Sequence, residues 1–261
     1  MSAEAHVRLA IADSIATVTL DRPDRRNALT VDMRTRIAEL FEGFASDDTV
    51  RAVVLAGSGE HFCVGGDVAA MDTTDEATSR ARIRAGAHRL IKAIHGLEKP
   101  VVAAVNGVAA GIGWSMAMAC DFIWVAPDAR FSQAFTRIGL APDGGSAYFL
   151  ARRVALPLAK ELAFSARVVA ADEAYALGLI DQIAPEDQLA GASRTAAAQF
   201  AQGPTRAFGL TKRLFNASLS PSLDDFLDAE IEVQPALRQT SDHQEGLAAF
   251  RDKRPPVFVG R

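Results

Sequence analysis

Three short stretches carry residues whose types and spacing suit chemistry. Asp143 lies in Gly139-Leu140-Ala141-Pro142-Asp143-Gly144-Gly145, a turn-forming run with apolar neighbours, where a carboxylate can act as a proton carrier. The same residue precedes the apolar run Ala147-Tyr148-Phe149-Leu150 and suits a helix N-cap equally well. Upstream, Val108-Ala109-Ala110-Gly111-Ile112-Gly113 leads into a helical pattern at Trp114. A glycine loop at a helix start aims unsatisfied backbone N–H groups and the positive end of the helix dipole at whatever lies in front of it, which makes an oxyanion site. Earlier still, His61-Phe62-Cys63-Val64-Gly65-Gly66-Asp67-Val68 has two adjacent glycines that allow close backbone approach, with Asp67 able to cap a following helix.

These stretches need elements to hold them. Val7 to Ala12 and Ile15 to Leu20 read as a β-hairpin turning at Asp13-Ser14 on a sheet edge, and Thr30 is an N-cap for a helix carrying Ile37, Leu40, Phe41 and Phe44. Arg51 to Ala56 is a strand of the buried type, and a helix from about Asp75 to Leu97 puts Leu90, Ile91 and Ile94 on one face. Val101 to Val105 is the next strand, turning through Asn106-Gly107, and Asp121 to Ala126 and Ala129 to Phe131 follow it. This alternation predicts a parallel sheet with crossover helices. Ser146 to Ala155, Pro157 to Ala163 and Ala171 to Leu177 read as short helices, with Leu179 to Ile183 a last strand. Gln188 to Ala201, Pro204 to Ala217, Ser222 to Gln239 (kinked near Pro235) and Glu245 to Phe250 are a helical tail, suited to core packing or to an oligomer interface.

Composition narrows the function classes. A chain of 261 residues with 49% hydrophobic residues can bury a large core. A net charge of -4 without a basic block argues against nucleic acid or an anionic membrane as partner. Cys63 and Cys120 read as core thiols, and no metal-ligand spacing occurs. With neither a long apolar leader nor a spanning segment, a cytoplasmic location is expected. Gly111-Ile112-Gly113 begins like a dinucleotide fingerprint, but Met116 occupies the third small position and there is no phosphate-loop Lys, so nicotinamide and ATP are unsuited.

Taken together, Arg22-Pro23 with Asn27-Ala28-Leu29, Phe62 to Asp67, Lys99-Pro100-Val101 into Asn106 to Gly111, Ala119-Cys120-Asp121, Gly139 to Gly145 and Ala174 to Ile183 follow one another in an order that resembles the crotonase superfamily, the enoyl-CoA hydratase/isomerase group. The resemblance covers nearly the whole chain. It implies an α/β fold, a crotonase-type spiral of ββα units over 1–187, followed by a C-terminal helical trimerisation region over 188–261, assembled as a homotrimer or homohexamer. It also implies an acyl-CoA thioester substrate and no separate cofactor, coenzyme A being part of the substrate.

The resemblance assigns the oxyanion hole to the N–H groups of Gly66 and Ile112. It further implies substrate or CoA contacts for Arg25, Ala28, Gly65, Asp67, Val68, Gly111 and Phe135, and for Lys253 through a neighbouring subunit's tail. Hydratases of the family carry two glutamates, at positions that here are Ser115 and Phe135. Losing both argues against efficient hydration, which needs one group to activate water and another to manage the α-proton. Asp143 is then the remaining motif-placed acid, in a pattern most similar to the phenylacetate-pathway isomerases, which act on ring-epoxide and Δ3-enoyl thioesters. The expected activity is Δ3/Δ2-enoyl-CoA or ring-epoxide acyl-CoA isomerisation. The alternatives are an enoyl-CoA hydratase and, from another class, a non-catalytic acyl-CoA-binding scaffold in which Asp143 only caps its helix. His88, like the other histidines, reads as a surface or packing residue.

Overall fold

A computed structural model describes residues 6–67 and 75–261. The chain opens with β1 (Val7–Ala12) and β2 (Ile15–Leu20), paired antiparallel through a two-residue turn in which Asp13 and Ser14 both take positive φ, at 54° and 60°. That is the turn geometry whose twist matches a hairpin. Then come α1 (Val31–Phe44) and β3 (Ala52–Gly57), then α2 (Glu76–Ile83), a single π-helical turn (Arg84–His88) and α3 (Arg89–Gly96), then β4 (Val101–Val105). β5 (Val108–Ala110), α4 (Ile112–Met118), β6 (Phe122–Val125), β7 (Arg130–Ser132) and a 3-10 turn (Ala134–Ile138) lead to α5 (Ser146–Arg153) and α6 (Leu156–Ser165). The rest is β8 (Val169–Ala170), α7 (Ala171–Ala176), β9 (Gln182–Ile183), α8 (Leu189–Ala201), α9 (Thr205–Ala217), α10 (Leu223–Arg238) and α11 (Ser241–Asp252).

The main sheet has six strands in the order β1-β2-β3-β4-β6-β9, parallel except for the β1 edge. Its central strands β3 and β4 are apolar on both faces, as a sheet covered on both sides requires. Val53, Leu55, Val101, Ala103 and Val105 face a core shared with α1, α3 and α4, whereas Ala52, Val54, Val102 and Ala104 face Leu189, Ala197 and Ala201 of α8. A second sheet, β5-β7-β8, was not expected from the letters as a separate layer. The segment around Cys63 extends it through a parallel bridge to Ala109. β3, β4 and β6 lie in the first sheet and each is followed by a short segment in the second (the Cys63 stretch, β5 and β7), the repeating turn that the resemblance implies.

Several of the family-like motifs prove to be joints of this spiral. Lys99 is buried and its Nζ donates to the Phe44 and Asp47 carbonyls at 2.5 and 2.7 Å, closing the C-terminal end of α1. Asp121 accepts from the Val101 N–H and from Lys212 Nζ, at 2.8 and 2.9 Å, joining β4 to α9. α10 runs through Pro235 as one assigned helix. Among the described residues no helix is long and apolar enough to cross a membrane.

Candidate active site

The first half of the site is a backbone corner. Arg26 and Asn27 both sit at positive φ, and the buried Asn27 side chain holds the loop by donating to the Ser58 and His61 carbonyls at 2.9 and 2.7 Å while accepting from the Arg22 N–H at 2.8 Å. The 26–29 segment then zips to the glycine stretch: Val64 N–H to Arg26 O, Leu29 N–H to Gly65 O and Asp67 N–H to Leu29 O, at 3.2, 2.8 and 3.1 Å. In this parallel bridge the residue between the bonded ones, Gly66, turns its own N–H away, and that N–H finds no acceptor among the described residues.

On the other side, Gly111 takes φ 52°, ψ -128°, a conformation open to glycine, and starts α4 at Ile112. The Ile112 N–H is at the first helical position and has no acceptor among the described residues, as helix geometry dictates. The two stretches touch. A Cβ on Gly65 would lie 3.2 Å from the Ala110 carbonyl oxygen, and one on Gly113 would lie 2.3 Å from that of Cys63. The corner closes only with glycine at 113, because α4 rests directly on the Cys63 backbone. Burial pushes the Cys63 thiol up to about 12, so it is a neutral packing group.

The second half is the acid. Ser115, fully buried on α4, donates its hydroxyl to the backbone carbonyls of Asp143 and Gly111 at 2.9 and 3.2 Å, so the Asp143 turn is tied to the helix whose start carries Ile112. The carboxylate accepts from the Gly144 N–H at 2.6 Å. It does not cap α5, whose N-cap is Gly145 without a side-chain bond. Asp143 is part-exposed rather than enclosed by Leu140 and Ala141, which are both exposed. His88 reaches it from the π-helical turn, with Nε2 3.8 Å from Oδ1. Arg34 of α1 feels the same carboxylate: burial lowers the guanidinium pKa from its ordinary value, and the Asp143 charge opposes that shift.

The other sequence-selected residues divide. Phe135 lies beside the corner, with its ring 3.8 Å from where a Gly111 Cβ would stand. Asp75 caps α2, accepting from the Thr78 N–H at 3.0 Å, and the stretch directly after Asp67 lies outside the described residues. Asp67 accepts from Arg22 Nη1 at 2.7 Å, and the same nitrogen reaches the Ala28 carbonyl at 3.2 Å, so Arg22 staples the two loops. Arg25 is exposed on the 3-10 turn Pro23–Arg25. Lys253 ends α11 in the left-handed region, on a helix that packs with α10 and the C-terminal tail and not in this cluster of its own chain. Val68 lies outside the described residues. Ser115 and His88 are the residues that sequence reading set aside. A serine in an apolar helical run gave a weak signal of a tether, and nothing in the letters marked the π turn. No cluster of potential metal ligands occurs among the described residues.

A spiral of this form with two backbone donors at one corner defines a class, and comparison with known proteins identifies it. The model of the family described as enoyl-CoA hydratase/isomerase matches residues 10–261. A protein of Rhodobacter capsulatus named as a probable enoyl-CoA hydratase is 40% identical, over 98% of each chain. The 1,2-epoxyphenylacetyl-CoA isomerase of Escherichia coli is 34% identical, over 96% of this chain and 97% of the other. The crystal structure of an enoyl-CoA hydratase from Polaromonas superposes with a TM-score of 0.90 at 31% identity, over 97% of this chain and 99% of that one. The chain belongs to the enoyl-CoA hydratase/isomerase family, within the crotonase superfamily.

Proposed function

We propose that the protein is an isomerase of acyl-CoA thioesters that moves a double bond between the Δ3 and Δ2 positions, or opens a ring epoxide, through an enolate held in a backbone oxyanion hole. The observation that carries this reading is the tie between Asp143 and α4: one carboxylate is fixed beside the corner, while the two hydratase glutamate positions hold a buried, hydrogen-bonded Ser115 and an apolar Phe135. A 1,3-proton transfer needs a single acid/base group; adding water needs two. Asp143 takes the C2 proton, the thioester oxygen gains charge between the Gly66 and Ile112 N–H groups, and the same carboxyl returns the proton at C4. Each backbone donor is worth about 2.7 to 4 kcal/mol in the transition state, judged from the loss when such a donor is removed. Coenzyme A enters as part of the substrate, with Arg25, Ala28, Gly65, Asp67, Val68, Gly111 and Phe135 on the corner side as its contacts and Lys253 reaching it from a second protomer. The assembly is a homotrimer or homohexamer, built through the region 188–261, where Phe215, Leu223, Ile231 and Phe250 are exposed.

The test offers purified protein trans-3-hexenoyl-CoA and trans-2-hexenoyl-CoA separately. The expected result is conversion of the first to the conjugated thioester, read by absorbance and mass, without water addition to the second. Formation of 3-hydroxyhexanoyl-CoA from the second, with no isomerisation of the first, overturns the reading in favour of a hydratase. No turnover of either, with tight CoA-ester binding, overturns it in favour of a scaffold. Light scattering that gives the mass of a single 27.7 kDa chain at micromolar concentration removes the assembly.

A further inference from the structure

We infer that His88 is a positioning residue for Asp143 that also gives its proton an exit to solvent. This rests on the proposed role of Asp143. Helix α2 to α3 does not run as a regular α-helix; it contains the π-helical turn Arg84–His88, and His88 is that turn's last residue. One extra residue in a helical turn rotates everything after it by about 100°, and such bulges recur at functional sites. Here the turn brings His88 Nε2 to 3.8 Å from Asp143 Oδ1, with the imidazole side chain 50% exposed and the carboxylate 36% exposed. The separation is about 1 Å beyond a hydrogen bond, a gap that rotation of either side chain closes.

The surroundings of the carboxylate leave His88 with a distinct part. Gly144 N–H donates to Oδ1 but cannot exchange roles, and Ser115 binds the backbone carbonyl of residue 143, not the carboxylate. Arg34, whose Cδ lies 3.8 Å from where a Cβ on Gly86 of the π turn would stand, is a further charged group acting on this carboxylate among the described residues. A guanidinium stays protonated and cannot accept a proton. The Glu42–Arg89 pair beside it is already mutually engaged at 2.7 Å. Among the described residues, His88 is therefore the neighbour that can both take a proton and release one. A neutral imidazole accepts on Nε2 the proton that Asp143 has removed from C2 and, turning its half-exposed ring to solvent, gives that same proton up to water. The carboxylate is then free to be recharged by the reverse path before C4 is protonated. Protons balance: one leaves C2, one reaches water, and one returns from water to C4. Direct return from Asp143 to C4 competes with this path.

The experiment runs trans-3-hexenoyl-CoA in D2O and reads deuterium at C4 of the product by mass spectrometry, for the full-length protein and for His88→Gln and His88→Ala. In the wild type part of the product carries solvent deuterium. Each variant, folded as judged by an unchanged melting temperature, lowers that fraction by at least about threefold with KM nearly unchanged, and added imidazole restores it in His88→Ala. A second arm follows C2 hydrogen exchange of hexanoyl-CoA, which enolises but has no double bond to move. Wild-type exchange there without isomerisation in the first arm counts against the proposed function alone, and the variants still read His88. Folded variants with wild-type deuterium content in both arms overturn the inference.

Discussion

The two halves of the site are built on opposite principles. The corner of backbone donors is packed backbone against backbone and leaves no room: an added Cβ at Gly113 would sit 2.3 Å from the Cys63 carbonyl oxygen. The acid side is made of side chains on a part-exposed turn, with Asp143 and His88 meeting at 3.8 Å from two separate elements. A donor that belongs to the peptide unit is aimed by the fold and costs no reorganisation when charge develops. A proton carrier must move a proton between two carbon atoms, and a part-exposed carboxyl on a turn suits that. On the proposed reading, the corner holds the thioester oxygen and the acid side decides where the proton goes.

Substitutions can break this contrast from either side. The largest effect is expected at Asp143: Asp143→Asn keeps the shape and removes the proton carrier, so kcat should fall by at least about 100-fold with CoA-ester affinity nearly unchanged, measured by steady-state kinetics and calorimetry. Turnover at the wild-type rate would separate Asp143 from the chemistry altogether. Gly113→Ala tests the corner instead. The added methyl must push α4 off Cys63, displacing the Ile112 N–H, so turnover should drop by about 100-fold and the melting temperature should fall with it. A variant stable and active to wild-type level would show the corner to be more compliant than its contacts imply.

Ser115→Ala cuts the tie between the halves and leaves each otherwise intact. Losing a buried hydrogen bond of this kind costs about 1 kcal/mol, so a roughly fivefold drop in kcat with little change in KM is the expected reading. The smallest chemical response belongs to Cys63. Burial raises its pKa to about 12, so the folded protein should resist thiol alkylation at pH 8. Because this thiol is held neutral in the fold, its contribution to stability is complete below the unfolded value of about 8.5 and is lost as pH rises from there toward the folded one. Denaturation midpoints that rose across that range would contradict the sign.

The letters went furthest where local chemistry and global fold agree. The hairpin at Asp13-Ser14, the Thr30 cap, which accepts the Met33 N–H at 3.1 Å, and the apolar strands of the main sheet all follow from propensity and periodicity, because each is decided by residues adjacent in sequence. The two glycine stretches were likewise legible as backbone-donor loops, and the family resemblance rests on them. The bond from Arg22 to Asp67 had no signal in the letters because it joins residues far apart in sequence.

What the sequence determined by itself is the set of parts: one motif-placed carboxylate, two glycine loops, a βα alternation and no basic or metal-binding pattern. What the tertiary structure alone decided is how they meet. The short second sheet is too brief to leave a periodic signal, since β8 has only two residues, yet it aligns Cys63 with Ala109 and so sets the corner. The choice between cap and free acid for Asp143 turned on where α5 begins, at Ser146 with Gly145 before it, and on a serine hydroxyl from another helix. The π turn that carries His88 toward the carboxylate has no marker in its residues, since Arg84-Ala85-Gly86-Ala87-His88 reads as part of one continuous helix.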